Sequence, residues 1–271
     1  MCTNCGCGLP DHFEPRLTGA AADGRAEGAH AATSAHTASV LRRLLAANDD
    51  TAAHNREHLN RHRTFAVNLM SSPGAGKTAL LERTVRDLGT HLRIAVVVGD
   101  LETQLDAERL RRCGVAAMQI STGQACHLDA RMLHDALHSI DLASVDLLFI
   151  ENVGNLVCPA SFDLGQHQNV VLLAASEGHD KPAKYPVMFR KADLVLLSKA
   201  DLVPLLGDFD PGLAEGAVRQ LASESPVWTV SARSGEGMAR WCQWLLDAVL
   251  RHRSDDSEAQ RVSEGAGPTW P

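Results

Sequence analysis

The segment Ser71-Ser72-Pro73-Gly74-Ala75-Gly76-Lys77-Thr78 follows an apolar run, Phe65 to Met70, and precedes a helix-forming stretch, Ala79 to Leu88. A strand, a glycine turn and a helix in that order close around a phosphate-sized hollow. The glycines let backbone N–H groups approach phosphate oxygens, and the helix N-terminus adds partial positive charge. Lys77 is expected to neutralise the β- and γ-phosphates, and the Thr78 hydroxyl to ligate Mg²⁺. Gly74, Ala75, Gly76, Lys77 and Thr78 form the expected phosphate-binding set. Ser71 stands where the usual P-loop pattern opens with glycine, but the Gly-Lys-Thr and the flanking strand and helix argue against a chance turn.

Beyond this loop, short apolar runs alternate with amphipathic stretches. Ile94–Val98, Ala116–Ile120, Asp146–Ile150, Val170–Ala174, Leu194–Leu197 and Val227–Val230 read as buried strands. Helical spacing covers Glu102–Arg112, Leu128–Ile140, Leu213–Ala222 and Met238–His252. Such alternation predicts an α/β P-loop NTPase with a mostly parallel sheet flanked by helices. Four segments are expected: a Cys-rich head and flexible tether at 1–39, a lead-in helix or helix pair at 40–64, the nucleotide-binding domain at 65–252, and a disordered tail at 253–271.

The 271 residues are 45% hydrophobic, enough for one sizeable α/β domain. There is no apolar run long enough to span a bilayer and no signal-peptide pattern, so a cytoplasmic chain with no membrane association is expected. A net charge of −7 gives no general attraction to nucleic acid. Seven cysteines in a reducing compartment point to metal ligands, reactive thiols or small core residues before disulfides. Cys113 and Cys242 fall within helical apolar patterns and are expected in the core.

The base is specified downstream. Ser198-Lys199-Ala200-Asp201 has the spacing of the Asn-Lys-x-Asp guanine-reading motif, with Ser198 in place of the asparagine. The Asp201 carboxylate accepts from guanine N1–H and the exocyclic amine, a donor pair that adenine lacks, and the Lys199 stem lies along the base. Ser231 and Ala232, in Val230-Ser231-Ala232-Arg233, are placed to back the base. In this order after a P-loop, the two motifs point to GTP over ATP. Hydrolysis calls for oxygen ligands and a positioned water. The candidates, with Lys77, are Asp100 and Glu151 at strand ends and Asp106 on a segment suited to act as a switch. Asp106 also reads as a solvated helix-capping acid.

Three further groups suggest metal chemistry. Cys2, Cys5 and Cys7 lie within six residues among glycines, a chelating spacing without the second pair of a structural zinc finger. An amine or amide nitrogen would complete a square-planar set suited to Ni²⁺, while a mobile tail with idle thiols is the alternative. Cys126, His127 and Cys158 would bind Zn²⁺ or Ni²⁺ if they converged, and otherwise are packing residues. His54, His58 and His62 recur along one helix face, interleaved with Arg56, Arg61 and Arg63. Those cations favour a solvated face over weak nickel storage.

Together the motifs resemble the hydrogenase nickel-incorporation GTPases of the HypB family, P-loop proteins that dimerise around nucleotide. The resemblance rests on the head at 2–8, Asn68–Thr78, Gly99-Asp100, Cys126–Ala130 and Asp146–Pro159. It implies a GTP-dependent metallochaperone that inserts nickel into the large subunit of a [NiFe]-hydrogenase, working with a HypA-type accessory protein and as a nucleotide-dependent homodimer. It also implies a tight nickel site at Cys2, Cys5 and Cys7, and a metal site at Cys126, His127 and Cys158 near the dimer interface. The tether has few histidines, which argues against bulk nickel storage. Rival readings are a urease-type nickel-insertion GTPase, against which the Cys-rich head argues, a small-molecule P-loop kinase and a zinc-stabilised interaction module.

Overall fold

A computed structural model describes residues 27–100, 104–123, 125–221 and 223–265. Cys2, Cys5 and Cys7 lie outside the described residues. Seven strands form the sheet: β1 (Phe65–Ser71), β2 (Ile94–Asp100), β3 (Ala116–Ser121), β4 (Leu147–Glu151), β5 (Gln168–Ala174), β6 (Leu194–Ser198) and β7 (Val227–Thr229). Their order is β3-β2-β4-β1-β5-β6-β7, and every pairing is parallel. The α-helices are α1 (Glu27–Arg61), α2 (Lys77–Leu88), α3 (Leu105–Arg112), α4 (Ala130–Leu137), α5 (Lys181–Lys184), α6 (Pro186–Arg190), α7 (Pro211–Arg219) and α8 (Met238–Gly265). Among the described residues, no helix is long and apolar enough to cross a membrane.

Parallel strands covered on both faces need apolar side chains at every position. β1, β4 and β6 are accordingly buried throughout. Val67, Leu69, Val96 and Phe149 face α2 and α8, where Leu81, Trp241 and Leu245 pack. The Trp241 indole N–H donates to Thr84 Oγ1 at 2.9 Å, so the largest buried side chain satisfies its one polar atom. Ala66, Val97, Leu148 and Ile150 point the other way, against Leu59 of α1 and Leu133 and Leu137 of α4.

Helix α1 is tied down by polar residues that apolar periodicity does not reveal. Asn55, fully buried, donates to the carbonyls of Ala130 and Leu164 at 2.8 and 3.0 Å. Arg56 pairs with Asp163 at 2.8 Å. The helix is already formed at Glu27, the first described residue, within the segment expected as tether; this stretch is rich in alanine, which gives strong helix propensity without an apolar stripe. Helix α8 likewise continues past 253 to Gly265, with no proline or glycine before that residue to stop it. The expected helix from Leu128 starts instead at Ala130, where Asp129 caps it by accepting from Met132 N–H at 2.8 Å. Cys242 is buried as expected, whereas Cys113 is exposed at the C-terminal end of α3, where the apolar face has run out.

Candidate functional site: a nucleotide cleft beside a thiol and imidazole cluster

The β1–α2 turn has the backbone that its sequence requires. Gly74 and Gly76 hold φ of 74° and 98°, in the left-handed region that glycine enters at no steric cost. Lys77 opens α2 and is almost fully buried, its ammonium donating to Ser71 Oγ at 2.9 Å. Ser71, the departure from the usual pattern, thus holds the lysine head at the floor of the loop. Burial pulls the Lys77 pKa down, opposed by nearby acids, Glu151 foremost.

Thr78 Oγ1 donates to Glu151 Oε1 at 2.8 Å, joining the start of α2 to the end of β4. The second carboxylate oxygen, Oε2, is buried without a hydrogen-bond partner. Burial pushes the Glu151 carboxyl up to about 7, while Lys77 and the Thr78 hydrogen bond pull it down. An orphaned carboxylate oxygen beside a hydroxyl and a phosphate loop fits a hard divalent cation such as Mg²⁺. A cleft of about 440 Å³ is lined by Lys77, Thr78, Asp100, Asp106, Arg109 and Glu151, so all four candidate catalytic residues share one hollow. Asp106 does not cap α3, since Gln104 occupies that position; it accepts from Arg109 at 3.2 Å. Arg109 also forks onto Glu82 at 3.0 and 2.9 Å. Its place in the cleft is signalled in the sequence only by its spacing from Asp106.

At the other end of the loop, Ser198 Oγ donates to Ala75 O at 2.7 Å, fastening the end of β6 to the P-loop. Lys199 adopts left-handed φ, and its Cε lies 3.9 Å from where a Gly76 Cβ would stand, so its stem runs over the loop. Asp201 accepts from Ser231 Oγ at 2.6 Å, with Arg233 at 3.9 Å from its other oxygen. Lys199, Asp201 and Ser231, with Ala232 next in the chain, therefore gather at one edge of the loop.

The internal cysteines converge. Cys126 Sγ lies 2.8 Å from Cys158 Sγ and 3.8 Å from His127 Nδ1, and the three ligating atoms fall within 4.8 Å of one another. The His127 ring stacks on Phe162 at 3.9 Å, and burial lowers its pKa, which keeps a lone pair available at neutral pH. Two thiols and an imidazole form a donor set for Zn²⁺ or Ni²⁺.

The two centres share a wall. Glu151 and Cys158 lie at opposite ends of one loop, and between them Gly154 presses on the P-loop: a β-carbon there would stand 2.8 Å from Pro73 Cα. Asn152 accepts from Leu128 N–H at 3.2 Å and donates to Asn68 of β1 at 3.2 Å, while Asn155 donates to Cys126 O at 3.3 Å. On the far side, a β-carbon at Gly99 would meet Leu128 Cγ at 2.7 Å. The segment bearing Cys126 and His127 is thus wedged between the strand end holding Asp100 and the loop holding Glu151. Asn152 does not stand out in the sequence, where its one signal is its place beside Glu151.

Residues 65–227 match the CobW/HypB/UreG nucleotide-binding domain family. The chain is 50% identical over 212 residues to hydrogenase maturation factor HypB of Rhizobium leguminosarum bv. viciae, covering 78% of this chain and 71% of that protein. Over 202 residues it is 46% identical to HypB of Escherichia coli K12, covering 74% and 69% respectively. Among solved structures, HypB from Helicobacter pylori in complex with nickel is 41% identical with a TM-score of 0.72, over 75% of this chain and 95% of that one. The hydrogenase maturation factor HypB of Archaeoglobus fulgidus is 38% identical with a TM-score of 0.71, over 76% and 100%. With the P-loop, the acid at the end of β4 and the converging cysteines all in place, this chain belongs to the HypB hydrogenase maturation factors of the CobW/HypB/UreG nucleotide-binding family.

Proposed function

We propose that the chain is a GTP-hydrolysing nickel metallochaperone serving [NiFe]-hydrogenase maturation, with Cys126, His127 and Cys158 as an internal site for the cargo ion. One observation carries this reading: the loop from Glu151 to Cys158 serves both the nucleotide cleft and the thiol pair. The nickel named in the Helicobacter pylori HypB structure supports the choice of metal.

GTP seats its phosphates on the N–H groups of Gly74, Ala75, Gly76 and Lys77, and its base on Asp201. Thr78 and Glu151 would hold Mg²⁺, which would neutralise phosphate charge when bound. An acid at the cleft rim, Asp100 or Asp106, orients water for attack on the γ-phosphorus; the bond to the bridging oxygen breaks, and GDP and phosphate leave. Loss of the γ-phosphate frees the Asp100 and Glu151 walls, and through Gly154 and Leu128 the change reaches the thiols. Cys2, Cys5 and Cys7 hold nickel tightly at the head. Nucleotide-dependent pairing of two copies, a HypA-type accessory protein and the hydrogenase large subunit complete the transfer, in the cytoplasm.

The test measures nickel affinity with GDP and with a non-hydrolysable GTP analogue at a fixed dimer fraction. The two values are expected to differ by about tenfold, or about 1.4 kcal/mol of coupling; equal values refute it. Turnover of GTP by the wild type and its loss in Lys77→Ala checks the enzymatic half.

A further inference from the structure

Three carboxylates, Asp100, Asp106 and Glu151, line the nucleotide cleft, and among the described residues there two carry positive charge, Lys77 and Arg109. Lys77 is committed to the floor of the P-loop, with its ammonium on Ser71. Arg109, on α3, spans two acids. Its Nε and Nη2 donate to the two oxygens of Glu82 at 3.0 and 2.9 Å, and its Nη1 donates to Asp106 Oδ1 at 3.2 Å. We propose that Arg109 is a positioning residue for GTP hydrolysis, a guanidinium that Glu82 locks in place so that its third arm fixes the Asp106 carboxylate at the cleft. This rests on the reading of the chain as a GTP-hydrolysing protein in which an acid directs the attacking water.

Helix α3 brings Asp106 to the cleft without fixing its side chain. The buried residues of the helix are Ala107 and Leu110, which pack into the core shared with α2. Leu105, directly before Asp106, is exposed, and the Asp106 side chain is itself 37% exposed, so packing does not hold the carboxylate. Glu82 lies on α2, the helix that Lys77 and Thr78 open. Arg109 therefore ties Asp106 to the same helix that carries the lysine and hydroxyl of the P-loop.

Stability is a poor reason for this arrangement. The Arg109 side chain is 40% exposed, and an ion pair so open to water contributes little to folding while it immobilises a long side chain. A planar fork is what positioning needs. The two-pronged grip of Glu82 on Nε and Nη2 sets the plane of the guanidinium, and with it the direction of Nη1. Lysine, a point charge on a flexible stem, has no such plane.

The charges in the cleft place Asp106 close to the P-loop chemistry. Burial foremost lowers the Lys77 pKa, and among the acids that oppose it Asp106 acts more strongly than Asp100. Burial foremost raises the Glu151 carboxyl, and Asp106 adds to that rise while Arg109 counters it. Asp106 and Arg109 are thus both within electrostatic reach of the acid that bonds Thr78.

The experiment measures steady-state GTP hydrolysis by the full chain, with urea denaturation on the same samples. Arg109→Gln is expected to lower kcat by about tenfold or more, with the KM for GTP within about threefold of wild type and the urea midpoint close to wild type. In an Asp106→Asn background the same change should have less than about a twofold further effect, because the group it aims is already gone. Arg131→Gln, which breaks an exposed pair with Asp135 on α4, should leave kcat unchanged. An unchanged kcat in Arg109→Gln, a loss confined to KM, or a full additional loss in the Asp106→Asn background overturns the proposal. If Arg109→Gln fails to fold, Glu82→Gln removes the anchor and keeps the guanidinium: a fall in kcat of about threefold or more supports positioning, and an unchanged kcat overturns it. Wild-type protein that turns over no GTP defeats the enzymatic reading as well, whereas normal wild-type turnover with an unaffected Arg109 variant defeats this inference alone.

Discussion

Gly154→Ala tests whether the nucleotide cleft and the thiol cluster share a wall. The added methyl would stand 2.8 Å from Pro73 Cα and 2.9 Å from Pro73 N, where ordinary contact begins at 3.4 Å, so a separation of about 0.6 Å must open. Both obstacles are backbone atoms of the P-loop and cannot swing aside. Overpacking of this kind costs about 1–3 kcal/mol. A shift of about 0.6 Å also exceeds the ±0.2 Å tolerance of metal–ligand distances by about threefold. Urea denaturation, nucleotide binding and nickel binding should be measured on the same protein. Stability should fall by about 1–3 kcal/mol, and both affinities should weaken by about fivefold or more. The control is Gly216→Ala on the exposed side of α7, where a β-carbon meets nothing within 4 Å; there stability should rise by about 0.5–1 kcal/mol. If Gly154→Ala weakens nucleotide binding and leaves nickel affinity within about twofold, the two sites do not communicate through this loop.

If Asp201 reads guanine as proposed, Asp201→Asn removes the carboxylate that accepts the two guanine donors and should weaken GTP binding by about 30-fold or more while leaving ATP binding unchanged; parallel loss of both nucleotides would show that Asp201 supports the fold and does not read the base. His167 accepts from Ala66 N–H at 2.8 Å, and burial foremost pulls its pKa to about 3 from 6.5. Between those values the unfolded chain binds the extra proton, so this group's contribution to stability is complete above the unfolded pKa and declines as pH falls below it. Going from about pH 7.5 to about pH 5.5 should cost about 1.4 kcal/mol through this residue. In His167→Asn, which keeps an acceptor for Ala66, chemical denaturation should show that part of the slope abolished; an unchanged slope refutes the assignment.

Part of this architecture is legible in the sequence because it is local. A glycine turn between an apolar run and a helix, runs of Val, Ile and Leu without alternation, and Lys199 two residues before Asp201 each leave a mark within a few positions. The convergence of Cys126 and Cys158 leaves none, since it depends on which strands are neighbours, and the residues alone leave metal site and packing cysteines equally open. Similarity to a known family, not spacing, favours the metal site. Ser71 reads as a defect in the P-loop until its hydroxyl is seen to hold Lys77. The histidines of α1 read as a solvated face, and His54 and His62 are exposed; the ring contacts of His54 with His134 and of His58 with His138 come from a segment far along the chain and leave no local mark. Helix α1 itself extends into an alanine-rich stretch that has propensity but no stripe, which periodicity alone passes over.

In the sheet, β2 lies between β3 and β4, so the loops bearing Cys126 and Cys158 emerge from strands that never touch. The two sulfurs meet over the end of β2, 32 residues apart in the chain. In an unfolded chain, closing a loop of that length costs about 3 kcal/mol before any bond to metal forms. The pair therefore exists as a chelate only once three strands are side by side. A metal held there would register that the core has folded, and under the proposed function the chain would be loaded at this position only when it is already competent to bind nucleotide.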